Sequence, residues 1–136
     1  MHQKMWNLVS LPVNHKVVGC KWVFRVKENI DGSINKYKVR LVANRFHQVV
    51  GFDFHKTFSP VIQPVTIHII STVALSFGWK LFQLDVKNAF LNGILEEIVY
   101  MHQPLGFEVA NKSQVYKLNK ALYRLKQAPR QWFNCL

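Results

Sequence analysis

Two amphipathic segments joined by a short turn most constrain the fold of this 136-residue chain. Apolar and cationic residues alternate between Val17 and Lys27, and the same period returns between Ile34 and Val42. A period of two residues is typical of a β-strand that buries one face. The Asp31-Gly32 pair between the segments is a hairpin turn signal. The sequence therefore predicts a β-hairpin with one apolar face and one cationic face.

The cationic face belongs to a chain with a large excess of positive charge. Lys and Arg number 18 against 7 Asp and Glu, which gives a formal net charge of +11. Such an excess on a small chain suggests a polyanionic partner, most simply nucleic acid. A solvated strand face is the alternative interpretation of alternating Lys and Arg.

Length and composition limit the chain to one domain with a single core. Apolar residues make up 49% of the sequence, which argues against disorder. Cys20 and Cys135 are far apart and have no close Cys or His spacing, so no zinc site is predicted. The sequence shows no signal peptide and no apolar run of the roughly 18 residues that a membrane span needs. We expect an intracellular protein that has no membrane partner.

A helix is predicted from Thr66, which can cap it, to Gly78, which can end it. Its stripe of apolar side chains predicts a core helix under a sheet. The stripe consists of Ile67, Ile70, Ala74 and Phe77. Short strands are expected near Tyr100 and from Val115 to Leu118, and a second helix is expected near Pro129.

A carboxylate near the end of an apolar segment is the main catalytic signal. Leu81 to Val86 is predicted to be a strand, which Asn92-Gly93 stops. Asp85 lies in this strand, and an unpaired carboxylate is costly to bury, so we expect it to face a cleft, a cation or a metal. Glu96 and Glu97 are not expected to be its acid–base partners, because the turn carries them away.

The segment from Leu84 to Gly93 resembles the first catalytic motif of copia-type retrotransposon reverse transcriptases. Further segments resemble successive blocks of that family, in the family's order. They are Gly19–Phe24, Tyr37–Ala43, Thr57–Val61, Val99–Met101 and Leu125–Arg130. The resemblance implies an α+β fold with the fingers and a partial palm of a right-hand polymerase, built from antiparallel strands packed on helices. It implies one partial domain over residues 1–136, with fingers and core helix at about 15–78 and an incomplete palm at about 79–136.

The resemblance also implies the reaction and its partners. The parent activity would be DNA synthesis from deoxynucleoside triphosphates on an RNA template and a DNA primer. Asp85 would be a catalytic residue and a ligand of Mg²⁺, since nucleotidyl transfer by two metals needs carboxylates to hold them. The family's other two aspartates come from an Asp-Asp hairpin downstream of the segment Lys126 to Trp132. No Asp-Asp pair occurs in this chain.

Other site residues follow from the matching blocks. Lys38 and Arg40 would contact the triphosphate, because their side chains supply charge-assisted donors. Phe90 would exclude a ribose 2′-hydroxyl, and its alternative role is that of a core aromatic. The nucleotide and template pocket would be lined by Tyr123, Lys126 and Gln127.

The chain also departs from the family pattern. Arg45 and Arg124 stand where the family usually has glycine, and His68 stands where arginine is common. We expect a fragment of a retrotransposon reverse transcriptase that is inactive as this chain and lacks the remainder of a Pol polyprotein. The alternatives are a non-catalytic basic module that binds RNA or DNA, and a non-functional remnant.

Overall fold

Two β-sheets form the framework of the chain in its computed structural model, which describes residues 4–58 and 61–136. The strands are β1 (Trp6–Ser10), β2 (Val17–Val18), β3 (Cys20–Glu28), β4 (Ile34–Ala43), β5 (Tyr100–Met101) and β6 (Gln114–Leu118). The order β1-β6-β5-β2 makes a four-stranded sheet in which β2 and β5 run parallel and the other neighbours run antiparallel. The remaining pair, β3 and β4, is a separate antiparallel hairpin.

The hairpin is confirmed, and its register separates the two kinds of side chain. Trp22 lies opposite Leu41 and Phe24 opposite Val39, whereas Arg25 lies opposite Lys38. Because successive side chains of a strand point to opposite faces, the apolar pairs share one face and the cations share the other. The Asp31 carboxylate accepts hydrogen bonds from the backbone N–H and the hydroxyl of Ser33, which stabilises the turn.

Two α-helices and two short 3-10 turns complete the described fold. The helices are α1 (Pro64–Ser76) and α2 (Ala128–Phe133), and the 3-10 turns are Arg45–His47 and Ala89–Asn92. The first turn of each α-helix contains a proline, whose fixed φ suits that position. Gly78 follows α1 with φ of +66°, as expected of the residue that ends a helix. None of the helices in the described ranges is long and apolar enough to cross a membrane.

The core lies between the four-stranded sheet, the base of the hairpin and the segment that leads into α2. Its buried members come from β2, β4, β5 with the preceding Val99, β6 and residues 121–128. They are Val18, Leu41, Ala43, Val99, Met101, Leu118, Ala121, Leu122, Leu125 and Ala128. The strand β1, which the sequence pattern did not predict, covers the edge of β6 from Trp6 to Ser10.

The predicted strand from Leu81 to Val86 is wrong. The structure gives residues 80–86 no regular secondary structure, and Asp85 and its neighbours there are exposed. A strand needs partners for its backbone N–H and C=O groups, and no described strand pairs with this segment.

The turn predicted at Asn92-Gly93 also differs from the structure. Asn88 takes the left-handed conformation, with φ of 54°, and Asn92 ends the 3-10 turn that follows. Gly93 is instead in close contact with α2, where a Cβ would come within 3.0 Å of Gln131 and Trp132.

The prediction of α1 as a core helix needs a correction too. The helix forms, but Ala74 is its one fully buried residue. Ile67, Ile70 and Phe77 of the predicted stripe keep 52%, 58% and 70% of their surface exposed. Apolar residues lie on every side of α1, and such a helix needs cover all round, which the described residues do not supply. The fold is thus α+β, but its larger sheet is mixed and α1 does not pack under it.

Two further features noted in the sequence lie at the end of β4 and after it. Arg45, at a position where the family usually has glycine, begins a 3-10 turn and is absent from the described non-glycine residues with positive φ, so its backbone is not strained. The block from Thr57 to Val61 includes Ser59 and Pro60, which lie outside the described residues.

Candidate functional site

A cleft of about 410 Å³ opens between the cationic face of the hairpin and the segment that leads into α2. The backbone sets this arrangement, since the Ala43 N–H donates to the Tyr123 carbonyl at 3.0 Å and Val42 bridges Tyr123. The cleft is lined by Val23, Arg25, Arg40, Val42, Phe90, Tyr123, Arg124, Ala128 and Pro129. Three predicted site residues, Arg40, Phe90 and Tyr123, therefore meet at one opening.

The Arg40 side chain is held against the wall of this cleft. Its guanidinium carbon lies 5.0 Å from the centroid of the Tyr123 ring, which is the geometry of a cation–π contact. The Arg40 Nε atom is buried and has no hydrogen-bond partner. A buried donor without an acceptor is unfavourable, so the packing of Arg40 against this wall carries an energetic cost.

Phe90 and Tyr123 form the aromatic part of the cleft. Their ring centroids are 6.0 Å apart and the planes meet at 87°, an edge-to-face contact that aromatic pairs favour. The Tyr123 hydroxyl donates to the Asn88 Oδ1 atom at 3.3 Å. Asn88 can hold its left-handed backbone at low cost, because its short polar side chain tolerates that region. The contacts tie the segment after Asp85 to the wall that carries Arg40.

Lys38 lies on the same strand face as Arg40, beside the cleft rather than among its lining residues. Repulsion from the Arg40 guanidinium is the main reason that the pKa of Lys38 lies below its ordinary value. Desolvation and the charges of Lys27 and Lys36 lower this pKa further, whereas the Asp85 carboxylate raises it.

Lys126 and Gln127 are not brought to the cleft. Gln127 is completely buried, donates to the Asp53 carbonyl at 2.9 Å and accepts from the Gln48 side chain at 2.9 Å. The Lys126 backbone N–H donates to the same Gln48 side chain, and its ammonium lies 4.6 Å from the centroid of the Phe54 ring. These contacts join residues 48–54 to the segment before α2, and a direct role in a template pocket stays a prediction.

The described residues do not by themselves make a metal site. No group of three or more His, Cys, Asp or Glu side chains that could hold a metal ion occurs in the ranges 4–58 and 61–136. Asp31 is hydrogen-bonded within the hairpin turn, and Asp53 is buried and accepts from the Val49 backbone N–H. Asp85, the predicted metal ligand, is therefore not part of such a group in the described ranges, and its role in metal binding stays a prediction.

Two arginines of the cleft were not among the predicted site residues. Arg25 lies opposite Lys38 on β3, and its alternation with apolar neighbours was the signal that could have identified it. Arg124 lines the cleft from the loop before α2, with φ of +69°. Its place at a family glycine position was the corresponding signal, because positive φ favours glycine.

Comparison with known proteins agrees with the motif blocks. The family described as "Reverse transcriptase (RNA-dependent DNA polymerase)" matches residues 3–136. The chain belongs to this family. The chain is 52% identical over 130 residues to the "Retrovirus-related Pol polyprotein from transposon RE1" of Arabidopsis thaliana. The match covers 94% of the chain and 9% of that protein. The chain is 51% identical over 129 residues to the corresponding polyprotein from transposon TNT 1-94 of Nicotiana tabacum, covering 94% of the chain and 10% of the relative.

More distant reverse transcriptase relatives extend beyond plants. The "Transposon Ty1-H Gag-Pol polyprotein" of Saccharomyces cerevisiae is 27% identical over 126 residues, which is 89% of the chain and 6% of that polyprotein. The chain is a fragment of a copia-type retrotransposon reverse transcriptase, and it spans about a tenth or less of the length of these curated relatives. No solved structure gives a significant match.

Proposed function

We propose that this chain supplies the nucleotide-binding surface of a retrotransposon reverse transcriptase. Lys38 and Arg40 bind the triphosphate of an incoming deoxynucleotide, and Phe90 lies against its sugar. In the finer fold assignment that goes with this proposal, residues of about 15–78 form the fingers with their helix, and residues of about 79–136 form part of the palm. An RNA template and a DNA primer complete the complex.

One observation carries this proposal: Arg40, Phe90 and Tyr123 come from separate parts of the sequence and line one cleft. The cleft has a cationic wall for phosphates and an aromatic wall for the sugar and base. Arg40 lines this cleft, and the ring of Tyr123 against its guanidinium restricts the orientation of the guanidinium plane. Charge-assisted donors held in place in this way bind phosphate oxygens strongly.

The proposed metal ion is Mg²⁺, with Asp85 as one ligand. Mg²⁺ prefers carboxylates together with substrate phosphates and keeps several waters. The described residues provide one candidate carboxylate near the cationic face, so further carboxylates have to come from outside them. We therefore expect no primer extension by the 136-residue chain alone.

Nucleotide binding is tested with the full chain and labelled nucleotides at equilibrium. Deoxynucleoside triphosphate should bind more tightly than the matching ribonucleotide, because the Phe90 ring occupies the space of a 2′-hydroxyl. Phe90→Ala should reduce this preference, and Arg40→Ala should weaken binding of both nucleotides. Lys112→Ala removes a charge from an exposed residue outside the cleft and is the matched control. Equal binding of the two sugars by the unchanged chain would contradict the role of Phe90.

Catalysis is tested in a chimera in which a family-type C-terminal segment with an Asp-Asp hairpin follows the chain. The measured quantity is incorporation of labelled deoxynucleotide on a primed RNA template. Reversion of Arg124 to Gly in the chimera should raise Mg²⁺-dependent extension, and Asp85→Asn should abolish it. Extension that survives Asp85→Asn would remove Asp85 from the metal site.

A non-catalytic module that binds RNA or DNA is the second candidate function. The crowding of cations on the hairpin favours it, because Arg40, Lys27 and Lys36 together lower the pKa of Lys38. A strand of phosphates would relieve this repulsion without any metal or sugar recognition. Salt-sensitive binding of RNA together with no measurable nucleotide binding would favour this candidate over the first.

A further inference from the structure

The helix α1 keeps a complete row of apolar side chains uncovered. Val65, Ile69, Val73 and the C-cap residue Phe77 follow one another at intervals of four residues, so they form one ridge along the helix. Each of them keeps between 41% and 70% of its surface exposed. Among the described residues no element covers this row, and contiguous exposed apolar surface of this kind marks an interaction site.

The chain as a whole exposes more surface than its mass requires. Its accessible surface is 10624 Å², whereas a compact monomer of 15.9 kDa exposes about 7,400 Å². The difference of about 3,000 Å² is several times the roughly 800 Å² that each partner buries in a stable complex. The row on α1 therefore belongs to a surface that is large enough for a stable protein–protein interface.

The segment around α1 differs from the rest of the chain in charge. No Lys, Arg, Asp or Glu occurs between residues 57 and 79, although the chain carries 18 Lys and Arg. Two copies of a chain with a net charge of +11 repel each other, but at α1 they can approach without bringing cations together. An RNA or an acidic protein would be attracted by cations, which this segment lacks. The charge pattern thus favours a second copy as the partner of α1.

We infer that α1 is a self-association surface, on which the α1 helix of a second copy of this chain packs. In the commonest class of helix contact, rows of residues four apart on the two helices interdigitate. The second copy supplies an identical row, and a two-fold axis lets each copy bury its row against the other. Within the described part of the chain, α2 is not available for this role, since it already buries Ala128 and Gln131. The inference goes beyond the proposed function, because the residues that line the cleft do not belong to α1.

Sedimentation of the full chain after nuclease treatment measures the association. We expect a reversible dimer of about 32 kDa, twice the mass of the chain, whose fraction rises with protein concentration. Higher salt should strengthen the dimer, because salt screens the repulsion between two copies of charge +11. A monomer at all concentrations, an open series of larger aggregates, or a dimer that salt or nuclease dissociates would overturn the inference.

Ile69→Lys is the main variant, because Ile69 lies within the row and is exposed in the single chain. Lysine favours a helix, so the variant should fold, which circular dichroism checks. The two-fold contact would bring two unpaired ammonium groups into the interface, and we expect the dimer to weaken at least about 100-fold. Leu75→Lys is the matched control, since Leu75 is 69% exposed and lies about 200° around the helix from Val73. Equal effects of the two substitutions would contradict the inference.

Ile69→Ala separates loss of apolar contact from the effect of an added charge. Alanine favours the helix and removes apolar area from both copies, so the dimer should weaken about 10-fold. A lipid surface is the other occupant that an uncharged apolar row could take, and phosphatidylcholine vesicles test it. A chain that stays monomeric and binds these vesicles, with binding lost in Ile69→Lys, would assign the row to lipid and overturn the inference.

Discussion

The guanidinium of Arg40 lies over the ring of Tyr123, with its central carbon 5.0 Å from the ring centroid. The same ring contacts Phe90 edge to face, and its hydroxyl donates to Asn88. Tyr123 therefore connects a cation of the hairpin to the segment that follows Asp85. In the proposed function Tyr123 is a positioning residue, because it restricts the side chain of Arg40.

Tyr123→Leu should weaken triphosphate binding more than Tyr123→Phe does. Leucine removes the cation–π contact, which contributes about 0.5–1 kcal/mol at exposed sites and more where it is desolvated. Phenylalanine keeps the ring and loses the hydroxyl that donates to Asn88. We expect a loss of affinity of about 3-fold or more for Tyr123→Leu, on that energy scale. Equal affinities of the two variants in a titration would show that the stacked ring does not position Arg40.

The cationic hairpin should dominate binding to single-stranded RNA. The double change Lys38→Ala and Arg40→Ala removes two charges from one strand face, so it should lower the slope of log K against log salt by about 1.4, at about 0.7 per phosphate contact. The control changes Lys112 and Lys117 to Ala, two lysines that do not line the cleft. The measurement is fluorescence anisotropy of a labelled oligonucleotide at several salt concentrations. A slope that stays unchanged in the hairpin variant would exclude Lys38 and Arg40 as phosphate contacts.

The local pattern of the hairpin was predicted correctly, whereas the strand at Leu81 to Val86 and the burial of α1, which depend on contacts between segments, were not. The hairpin follows from alternation and a turn signal, which are local, so the faces of Arg25, Lys38 and Arg40 could be predicted from the sequence. The segment around Asp85 has similar apolar residues but no pairing strand among the described residues, and pairing is not visible in a single segment. Likewise, α1 has the residues of a buried helix, but only Ala74 is fully covered.

The candidate site shows the same division. The motif blocks named Arg40, Phe90 and Tyr123, which line one cleft, but they also named Gln127, whose amide is used inside the fold. A motif records which residues recur and does not distinguish a ligand contact from a buried hydrogen bond. Arg124 was recognised as unusual from its glycine position, and the observed φ of +69° gives the physical reason.

Gln127→Leu should destabilise the chain rather than affect ligand binding directly. The change leaves the Gln48 side-chain amide and the Asp53 carbonyl without their partners in a buried site. Unsatisfied buried groups cost about 1–3 kcal/mol each, so we expect a loss of at least about 2 kcal/mol in the free energy of unfolding. Gln83→Leu, at an exposed position, should change that free energy by less than about 0.5 kcal/mol. Urea denaturation measures both, and similar stabilities of the two variants would contradict the structural role of Gln127.

The lowered pKa of Lys38 predicts a pH dependence in the alkaline range. The folded chain disfavours the charged ammonium, chiefly through the Arg40 guanidinium, so repulsion reduces stability below the folded pKa and is relieved as the pH rises through it. Polyanion binding shows the opposite trend, because loss of the ammonium charge weakens it over the same interval. Arg40→Ala should move this transition to higher pH, towards the ordinary lysine value, and Lys38→Arg should remove it. A transition at the same pH with and without Arg40 would contradict the assigned cause.

The two arginines at family glycine positions should respond in opposite ways to reversion. Arg124 has φ of +69°, and a left-handed backbone costs a residue with a side chain about 1–2 kcal/mol. Arg124→Gly should therefore raise the free energy of unfolding by roughly 1 kcal/mol, less the extra chain entropy that glycine brings to the unfolded state. Arg45 begins a 3-10 turn without positive φ, so Arg45→Gly should lower that free energy by about 0.5–1 kcal/mol. Arg124→Ala keeps the strain and removes the charge, so it separates the backbone effect from relief of repulsion among the cations. If Arg124→Ala stabilises the chain as much as Arg124→Gly in thermal and urea unfolding, Arg124 destabilises the fold through its charge and not through backbone strain.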